Sequence, residues 1–128
     1  MWNPLEARNL PLLMRVTGGL TMLAALQFLA PEAMLGASHM AVGDETGLFF
    51  ARHWGLLVGC LAGLMIYAAD QPALQRPVLF AVTVEKIGLV AMVALNANHP
   101  AMAGMLPAAV FDGICVLLFG AILLRRPR

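Results

Sequence analysis

Residues 77–96, PVLFAVTVEKIGLVAMVALN, decide the fold class of this protein. A helix that crosses the hydrocarbon core of a bilayer needs about 20 mostly apolar residues, and this stretch has that length. Its only charged residues, Glu85 and Lys86, lie near its centre. Because charged side chains at that depth are costly, they usually face a protein interior or a water-filled cavity. The stretch therefore predicts a membrane span that contains a polar site.

The composition of the whole chain agrees with a membrane protein. Of its 128 residues, 61% are hydrophobic and 12% are charged. Soluble domains carry roughly 25% charged residues, so this chain has too few charges to cover a water-facing surface. The formal net charge of +1 also excludes a nucleic-acid module, which needs a basic surface. Soluble globular and disordered classes are thus excluded, and an integral membrane protein is predicted.

Three further apolar runs have nearly the same length, at residues 10–30, 48–69 and 105–124. Prolines and polar residues separate the runs, as expected for connecting loops. Together with residues 77–96 they predict an all-α, integral membrane four-transmembrane-helix bundle with up-down topology, in a single membrane domain over residues 1–128. A cleaved signal peptide is the alternative interpretation of the first run. Because Pro31 directly follows Ala30, the cleavage context is poor, and we expect a retained helix.

Basic residues predict the orientation of the bundle. Arg8 precedes the first run and Arg76 precedes the third, while the loops at 31–47 and 97–104 contain no Lys or Arg. The C-terminus adds three basic residues, Arg125, Arg126 and Arg128. Since cytoplasmic loops carry an excess of Lys and Arg, both termini are predicted to lie inside (N-in, C-in). The first outer loop mixes apolar and acidic residues, which predicts a short interfacial helix.

Glycines predict how two of the helices pack. The second run carries a stripe of small residues at four-residue spacing, Gly55, Gly59 and Gly63. In lipid, such a stripe lets two helix backbones approach closely. Gly18 and Gly19 of the first run are the candidate complement. The sequence leaves open whether the stripe packs within the chain or against a second copy.

Ionisable residues inside the predicted spans are the candidate functional groups, because such residues are rare in membranes. At about 1.5 Å per residue, Arg52, His53 and Asp112 lie in the outer half of the bundle, and Glu85 and Lys86 lie near its midplane. Arg52 or His53 is therefore predicted to pair with Asp112, with Glu85 close to the same level. Glu85 and Lys86 are adjacent, so their side chains diverge and each needs a partner from another helix or from water.

These residues predict a polar cluster that either locks the helices together or performs chemistry. In the chemical interpretation, Glu85 and Asp112 are the acid and the base, assisted by His53 and Arg52. The candidate binding residues are Arg52, Lys86, Trp54 and Asn96. Asn96 also shares a helix face with Glu85, which indicates a polar track toward the outer surface. Trp54 and Trp2 are typical of interfacial aromatic residues.

Soft metal ligands and thiols occur without the spacing of a metal site. Histidines and methionines of the outer loops, at residues 39–40 and 99–105, could suit Cu(I). However, methionine commonly fills apolar interiors, so no metal site is predicted and the sequence assigns no cofactor. Cys60 and Cys115 fall at similar predicted depths, and we interpret them as small apolar residues rather than a redox pair.

The first half of the chain resembles the small four-helix DoxX-like membrane proteins of bacteria and related domains of unknown function. The resemblance rests on Ala30–Pro31 after the first helix and on residues 48–52, Leu-Phe-Phe-Ala-Arg, which lead into the glycine-rich second helix. It implies a multi-pass protein of the bacterial inner membrane, in a group that includes accessory subunits of membrane oxidoreductases. Neither the Glu85–Lys86 pair nor Asp112 matches a motif of that group.

The sequence supports three functions for such a bundle. The first is an accessory or lipid-like-ligand-binding subunit with a buried polar cluster. The alternative is a membrane-embedded enzyme that performs proton-transfer chemistry on an apolar substrate such as an isoprenoid, sterol or quinone. The third is proton-coupled transport by an oligomer. The expected partners are the lipid bilayer, an apolar small molecule, and a second copy or a larger membrane complex, with no nucleic acid.

Overall fold

A computed structural model of the protein describes residue 3 and residues 6–125. The described residues form helices and connecting turns, without a β-strand. Four helical segments are long and apolar enough to cross a membrane, and we call them spans 1 to 4: Leu10–Leu29, Glu45–Ala68, Pro72–Leu95 and Pro100–Leu124. The predicted all-helical membrane fold is thus confirmed at this level. Trp2, Arg126 and Arg128, which entered the sequence predictions, lie outside the described residues.

Span 1 is not a uniform α-helix. It follows a 3₁₀ turn at Ala7–Asn9 and consists of an α-helix at Leu10–Met22, a 3₁₀ turn at Leu23–Ala25 and a last α-helical turn at Leu26–Leu29. It ends at Ala30, which leaves the helical conformation because the following proline disfavours it. A short helix, Pro31–Ala37, comes next and confirms the helix predicted in this loop.

Span 2 begins with a side-chain cap. The carboxylate of Asp44 accepts a hydrogen bond from the backbone N–H of Gly47 at 2.7 Å, and Glu45 adds negative charge to the first turn. Both features stabilise a helix N-terminus, where backbone N–H groups lack partners. The helix therefore begins at Glu45, three residues before the predicted start at Leu48.

The predicted start of span 3 at Pro77 is wrong. The helix begins at Pro72, and Pro77 lies inside it. Pro72 occupies the first helical position, where a missing N–H costs nothing. Pro77 lies in the second turn, where it has no N–H to donate to the carbonyl of Ala73, and the helix nevertheless continues through it. Span 4 starts with a 3₁₀ segment, Pro100–Met105, and continues as the α-helix Leu106–Leu124.

The glycine stripe of span 2 packs against span 1 of the same chain. A Cβ added at Gly55 would lie 2.6 Å from the backbone nitrogen of Phe28, and one at Gly59 would lie 2.8 Å from the Cβ of Ala25. Gly18 makes the complementary close approach to span 2, whereas Gly19 has open space around it. The stripe is therefore an intramolecular packing surface, and of the two candidate complements only Gly18 takes part.

The two ends of the bundle differ in packing. At the closed end, which contains the turn at 69–71, all four spans contribute to one apolar core: Leu10, Leu13, Met14, Met65, Ala68, Ala69, Val78, Leu79, Val82, Cys115 and Phe119. Polar contacts join the helices there: Arg15 binds both carboxylate oxygens of Asp70 at 2.5 Å, and Arg76 donates to the carbonyl of Leu123 at 2.7 Å. At the opposite, open end the helices enclose cavities instead.

Candidate functional site

A buried ion pair joins spans 3 and 4 in the middle of the bundle. The ammonium group of Lys86 donates a hydrogen bond to Oδ1 of Asp112. Lys86 is 1% exposed and Asp112 is 6% exposed, whereas the other ion pairs of the described residues are solvent- or lipid-accessible. The Lys86 nitrogen also lies 5.2 Å from the centre of the Phe111 ring. The ion pair with Asp112 and the contact with the Phe111 ring thus offset the free-energy cost of burying the Lys86 ammonium group.

The predicted pairing of Asp112 with Arg52 or His53 is wrong. Arg52 and His53 lie on a face of span 2 that does not border the cavity lined by Asp112. Arg52 and His53 are exposed and line a surface cavity of about 420 Å³ with Glu45 and Phe49. The His53 ring stacks against Phe49, with 6.1 Å between ring centres. Neither residue contributes to the cavity beside the Lys86–Asp112 pair.

Helical geometry explains this displacement. The buried residues Val58, Ala62 and Met65 define the inward face of span 2. At 100° per residue, His53 points away from that face and Trp54 points close to it. His53 shares its outward face with Cys60, which is also exposed. The helical spacing of a residue from the inward-facing positions, and not its depth alone, therefore distinguishes the inward orientation of Trp54 from the outward orientation of Arg52 and His53.

An inner cavity of about 290 Å³ lies beside the ion pair, and all four spans contribute to its wall. Its polar lining consists of Glu85, Lys86, Asp112 and Thr21. The rest is apolar or aromatic: Leu20, Ala24, Trp54, Val58, Leu89, Ala108 and Phe111. Four of the predicted acid, base and binding residues thus line one cavity, although Asp112 already accepts a hydrogen bond from Lys86.

A second, outer cavity of about 600 Å³ lies toward the open end. It shares Trp54 and Leu89 with the inner cavity, so the two are neighbours along the bundle. Asn96 lines it as well, and its side-chain amide donates to the backbone carbonyl of Met92 at 2.8 Å. Glu85 and Asn96 therefore line neighbouring cavities, but the residues that the two cavities share are Trp54 and Leu89, and the polar track between Glu85 and Asn96 stays a prediction.

Two polar groups in the inner cavity lack partners among the described residues. The hydroxyl of Thr21 is buried and makes no hydrogen bond. By contrast, the buried hydroxyls of Thr17 and Thr83 donate to backbone carbonyls one turn earlier, at 2.7 and 2.6 Å. The carboxyl group of Glu85, which is half-buried, makes neither a hydrogen bond nor an ion pair. An unsatisfied buried polar group is costly, so the Thr21 hydroxyl points to a missing polar partner, whereas the carboxyl group of Glu85 is only partly buried and remains available to one.

Thr21 was not a predicted site residue. Threonine is common on the packing faces of membrane helices, so its presence in the sequence has no specific meaning. What distinguishes Thr21 is the 3₁₀ turn that begins two residues later, at Leu23–Ala25. Such a departure inside a helix often marks a hinge or a strained stretch.

The thiols and metal-ligating side chains of the described residues do not come together. Cys60 is exposed and Cys115 is buried, and both are free thiols. Over the part of the chain that the structure describes, no three His, Cys, Asp or Glu side chains are grouped closely enough to hold a metal ion. The chemistry of the site is therefore that of a carboxyl group, a hydroxyl group and a neutralised ion pair beside an apolar cavity.

Comparison of the chain with protein families, curated proteins and solved structures finds no match, so the geometry of this cavity is the basis for inferring function.

Proposed function

We propose that this protein is a small membrane subunit that binds a lipid-like molecule between its helices. The observation that supports this proposal is the inner cavity, which has an apolar wall and unpartnered polar groups at Glu85 and Thr21. Ligand sites typically have volumes of about 300–1,000 Å³, mostly apolar walls and a few placed polar groups. The inner and outer cavities together have such a volume and such a lining. A molecule with one polar end and an apolar body would fit them.

The tightly packed closed end supports such a role. The core between Leu13, Met65 and Phe119 fixes the four spans at one end, while the Lys86–Asp112 pair joins spans 3 and 4 beside the cavity. A site built on helices that are held in this way stays open without a ligand, because the walls cannot collapse into it. The ion pair therefore acts in this proposal as a structural support for the binding site.

We also propose the up-down topology with both termini inside. Contacts support it: Arg15 meets Asp70, Lys86 meets Asp112 and Arg76 meets the carbonyl of Leu123, as expected for neighbouring antiparallel helices. The distribution of basic residues supports the orientation. In this arrangement the open end faces the outer leaflet, and the bound molecule would enter from there.

Ligand binding can be tested by filling the inner cavity with a larger side chain. Ala108 lines that cavity, so Ala108→Phe would occupy its space, whereas Ala91, on the same bundle, is exposed and lines none of the cavities described above. We expect native mass spectrometry of the wild type and of Ala91→Phe to show a bound lipid-like molecule. Ala108→Phe should lose it by about tenfold or more in occupancy, since a filled pocket excludes its ligand.

Two results would contradict binding. One is a wild-type protein that carries no small molecule and takes up no added amphiphile. The other is equal occupancy in Ala108→Phe and Ala91→Phe, which would place the bound lipid on the outer surface. If larger protein partners co-purify with the wild type, they identify the assembly in which the subunit works.

A second candidate function is acid/base catalysis on an apolar substrate. It is favoured by the Glu85 carboxyl group, which faces the cavity without a hydrogen-bonding partner and is free to exchange a proton with a bound molecule. Asp112 is held by Lys86, and His53 and Arg52 lie elsewhere, so Glu85 is the one group of the predicted set suited to this task. Incubation in heavy water tests it: catalysis predicts deuterium in the carbon skeleton of the bound molecule, and Glu85→Gln should abolish that incorporation.

A further inference from the structure

We infer that the inner cavity selects a ligand whose polar head donates a hydrogen bond and carries no negative charge, such as the hydroxyl of a long-chain or isoprenoid alcohol. This inference rests on the proposed function, because it names the class of molecule that the cavity binds. It follows from the charges and the unpartnered polar atoms that line the cavity.

The charges of the inner cavity disfavour an anionic head group. Three ionisable side chains line it: Glu85, Lys86 and Asp112. Lys86 and Asp112 neutralise each other through their hydrogen-bonded ion pair. The remaining group is the acidic side chain of Glu85, and the basic residue Arg52 of span 2 lines a separate surface cavity with His53. A carboxylate or phosphate head would therefore meet an acidic group, and among the described residues that line the cavity it would find no cation outside the ion pair.

The hydrogen-bonding capacity of the cavity favours a donor. Glu85 offers carboxyl oxygens that accept no hydrogen bond from a described residue, and Thr21 offers a hydroxyl group that makes no hydrogen bond and can donate one. A hydroxyl head can donate to Glu85 and accept from Thr21, which satisfies both groups at once. A site that is built to bond a hydroxyl rejects analogues that lack the donor, because its own buried polar groups are then left unpaired.

The arrangement of the two cavities indicates where the apolar body of the ligand would lie. Trp54 and Leu89 line both cavities, and the outer cavity beyond them is lined mainly by apolar side chains that include Met40, Met102 and Met105. A chain anchored at Glu85 can therefore run past Trp54 toward the open end. Methionine side chains are flexible and accommodate apolar chains of varied shape, so we expect selectivity for the head group and tolerance for the tail.

The experiment uses three probes that share one brominated farnesyl tail and differ in the head: an alcohol, its methyl ether and a carboxylic acid. Bromine quenches tryptophan fluorescence on contact, and Trp54 lines both cavities. Because the chain has two tryptophans, Trp2→Phe leaves Trp54 as the single reporter. Apparent Kd values are measured in nanodiscs for this variant, alone and combined with Glu85→Gln, Thr21→Val or Glu45→Gln. Glu45 is an acidic residue outside the inner cavity and gives the control.

We expect the alcohol to bind about tenfold or more tightly than the ether and the acid, in line with a hydrogen bond to a carboxyl group. Glu85→Gln should bring the alcohol and the acid to within about threefold of each other. Thr21→Val should weaken both the alcohol and the ether, because the oxygen of each can accept a hydrogen bond from Thr21. Glu45→Gln should leave all three values unchanged. If no probe quenches Trp54, the proposed binding function itself is wrong. If all three bind equally, if the acid binds best, or if Glu85→Gln leaves the preference intact, the inference on the head group is overturned while binding stands.

Discussion

At the scale of single residues, Glu85 and Lys86 differ in whether another side chain neutralises their charge. Glu85 and Lys86 are adjacent in sequence and point in different directions, as the helix geometry predicts. Lys86 turns into the bundle and neutralises Asp112, whereas Glu85 borders the cavity without an ion-pair partner. Lys86 therefore contributes to packing, and Glu85 is the group that the proposed function assigns to a ligand. Under the proposed function, the two alternatives that the sequence left open, a structural network and a functional site, apply to different residues.

The first prediction concerns the buried ion pair. Lys86→Met and Asp112→Leu should each lower the free energy of unfolding by about 3–5 kcal/mol, since each leaves one buried charge without its partner. The double variant should recover most of that loss, because two apolar side chains replace the pair. Reversible unfolding in detergent micelles, analysed as a double-mutant cycle, measures both effects.

Arg15→Gln is the matched control for that cycle. The Arg15–Asp70 pair is exposed, with side chains 50% and 64% accessible, so its loss should cost less than about 1 kcal/mol. A double variant of Lys86 and Asp112 that is as unstable as the two single variants added together would show that the pair does not act as one unit.

At the scale of helices, close packing depends on a few glycines. The Gly55 position meets the backbone at the end of span 1, and Gly59 meets Ala25 in its 3₁₀ turn. A backbone cannot move away as a flexible side chain can, so the helix pair has no space for a further methyl group. Gly88 of span 3 has no neighbouring atom within 4 Å of an added Cβ, and it gives a comparison in the same protein.

The second prediction compares these two glycines. Gly55→Ala should destabilise the protein by about 1–3 kcal/mol through overpacking against the backbone of Phe28. Gly88→Ala should stabilise it by up to about 1 kcal/mol, because alanine has the higher helix propensity. Thermal unfolding of both variants in the same detergent gives the comparison. Equal shifts of the same sign for the two variants would exclude Gly55 as a packing constraint.

At the scale of the whole molecule, the bundle is closed at one end and holds cavities toward the other. The apolar core occupies the closed end together with the contacts of Arg15 and Arg76, and the polar site lies between this core and the outer cavity. The many large apolar side chains on the outer surface, such as Phe80, Leu95 and Leu117, suit contact with lipid. The molecule therefore has one tightly packed end and one end toward which its larger cavities lie.

The third prediction tests that direction. In a variant without the native cysteines (Cys60→Ser, Cys115→Ala), single cysteines are introduced at Glu32 and Asn98, near the open end, and at Ala73, near the closed end. All three positions are exposed. With both termini inside, a membrane-impermeant maleimide should label the first two in intact cells and should label Ala73→Cys only after permeabilisation. The reverse pattern would invert the orientation of the protein.

The features that the sequence predicts correctly are those that depend on local chemistry. Four apolar runs separated by prolines predict four spans, because the free energy of placing a residue in lipid depends mainly on that residue and its neighbours in the chain. The small-residue stripe of span 2 likewise predicts a close helix contact, and Glu85, Lys86 and Asp112 are found together in the cavity lining. The predicted start of span 3 at Pro77 is wrong, because the helix begins at Pro72 and accommodates Pro77 in its second turn.

What only the tertiary structure decided is how each helix is rotated about its axis and which helix it contacts. That rotation turns His53 outward and Trp54 inward, gives Asp112 to Lys86 rather than to Arg52, and leaves Thr21 without a partner. Residues at equal depth on different helices meet only if both helices present them to the same interior. Depth follows from counting residues along one helix, but this meeting depends on the packing of all four helices at once.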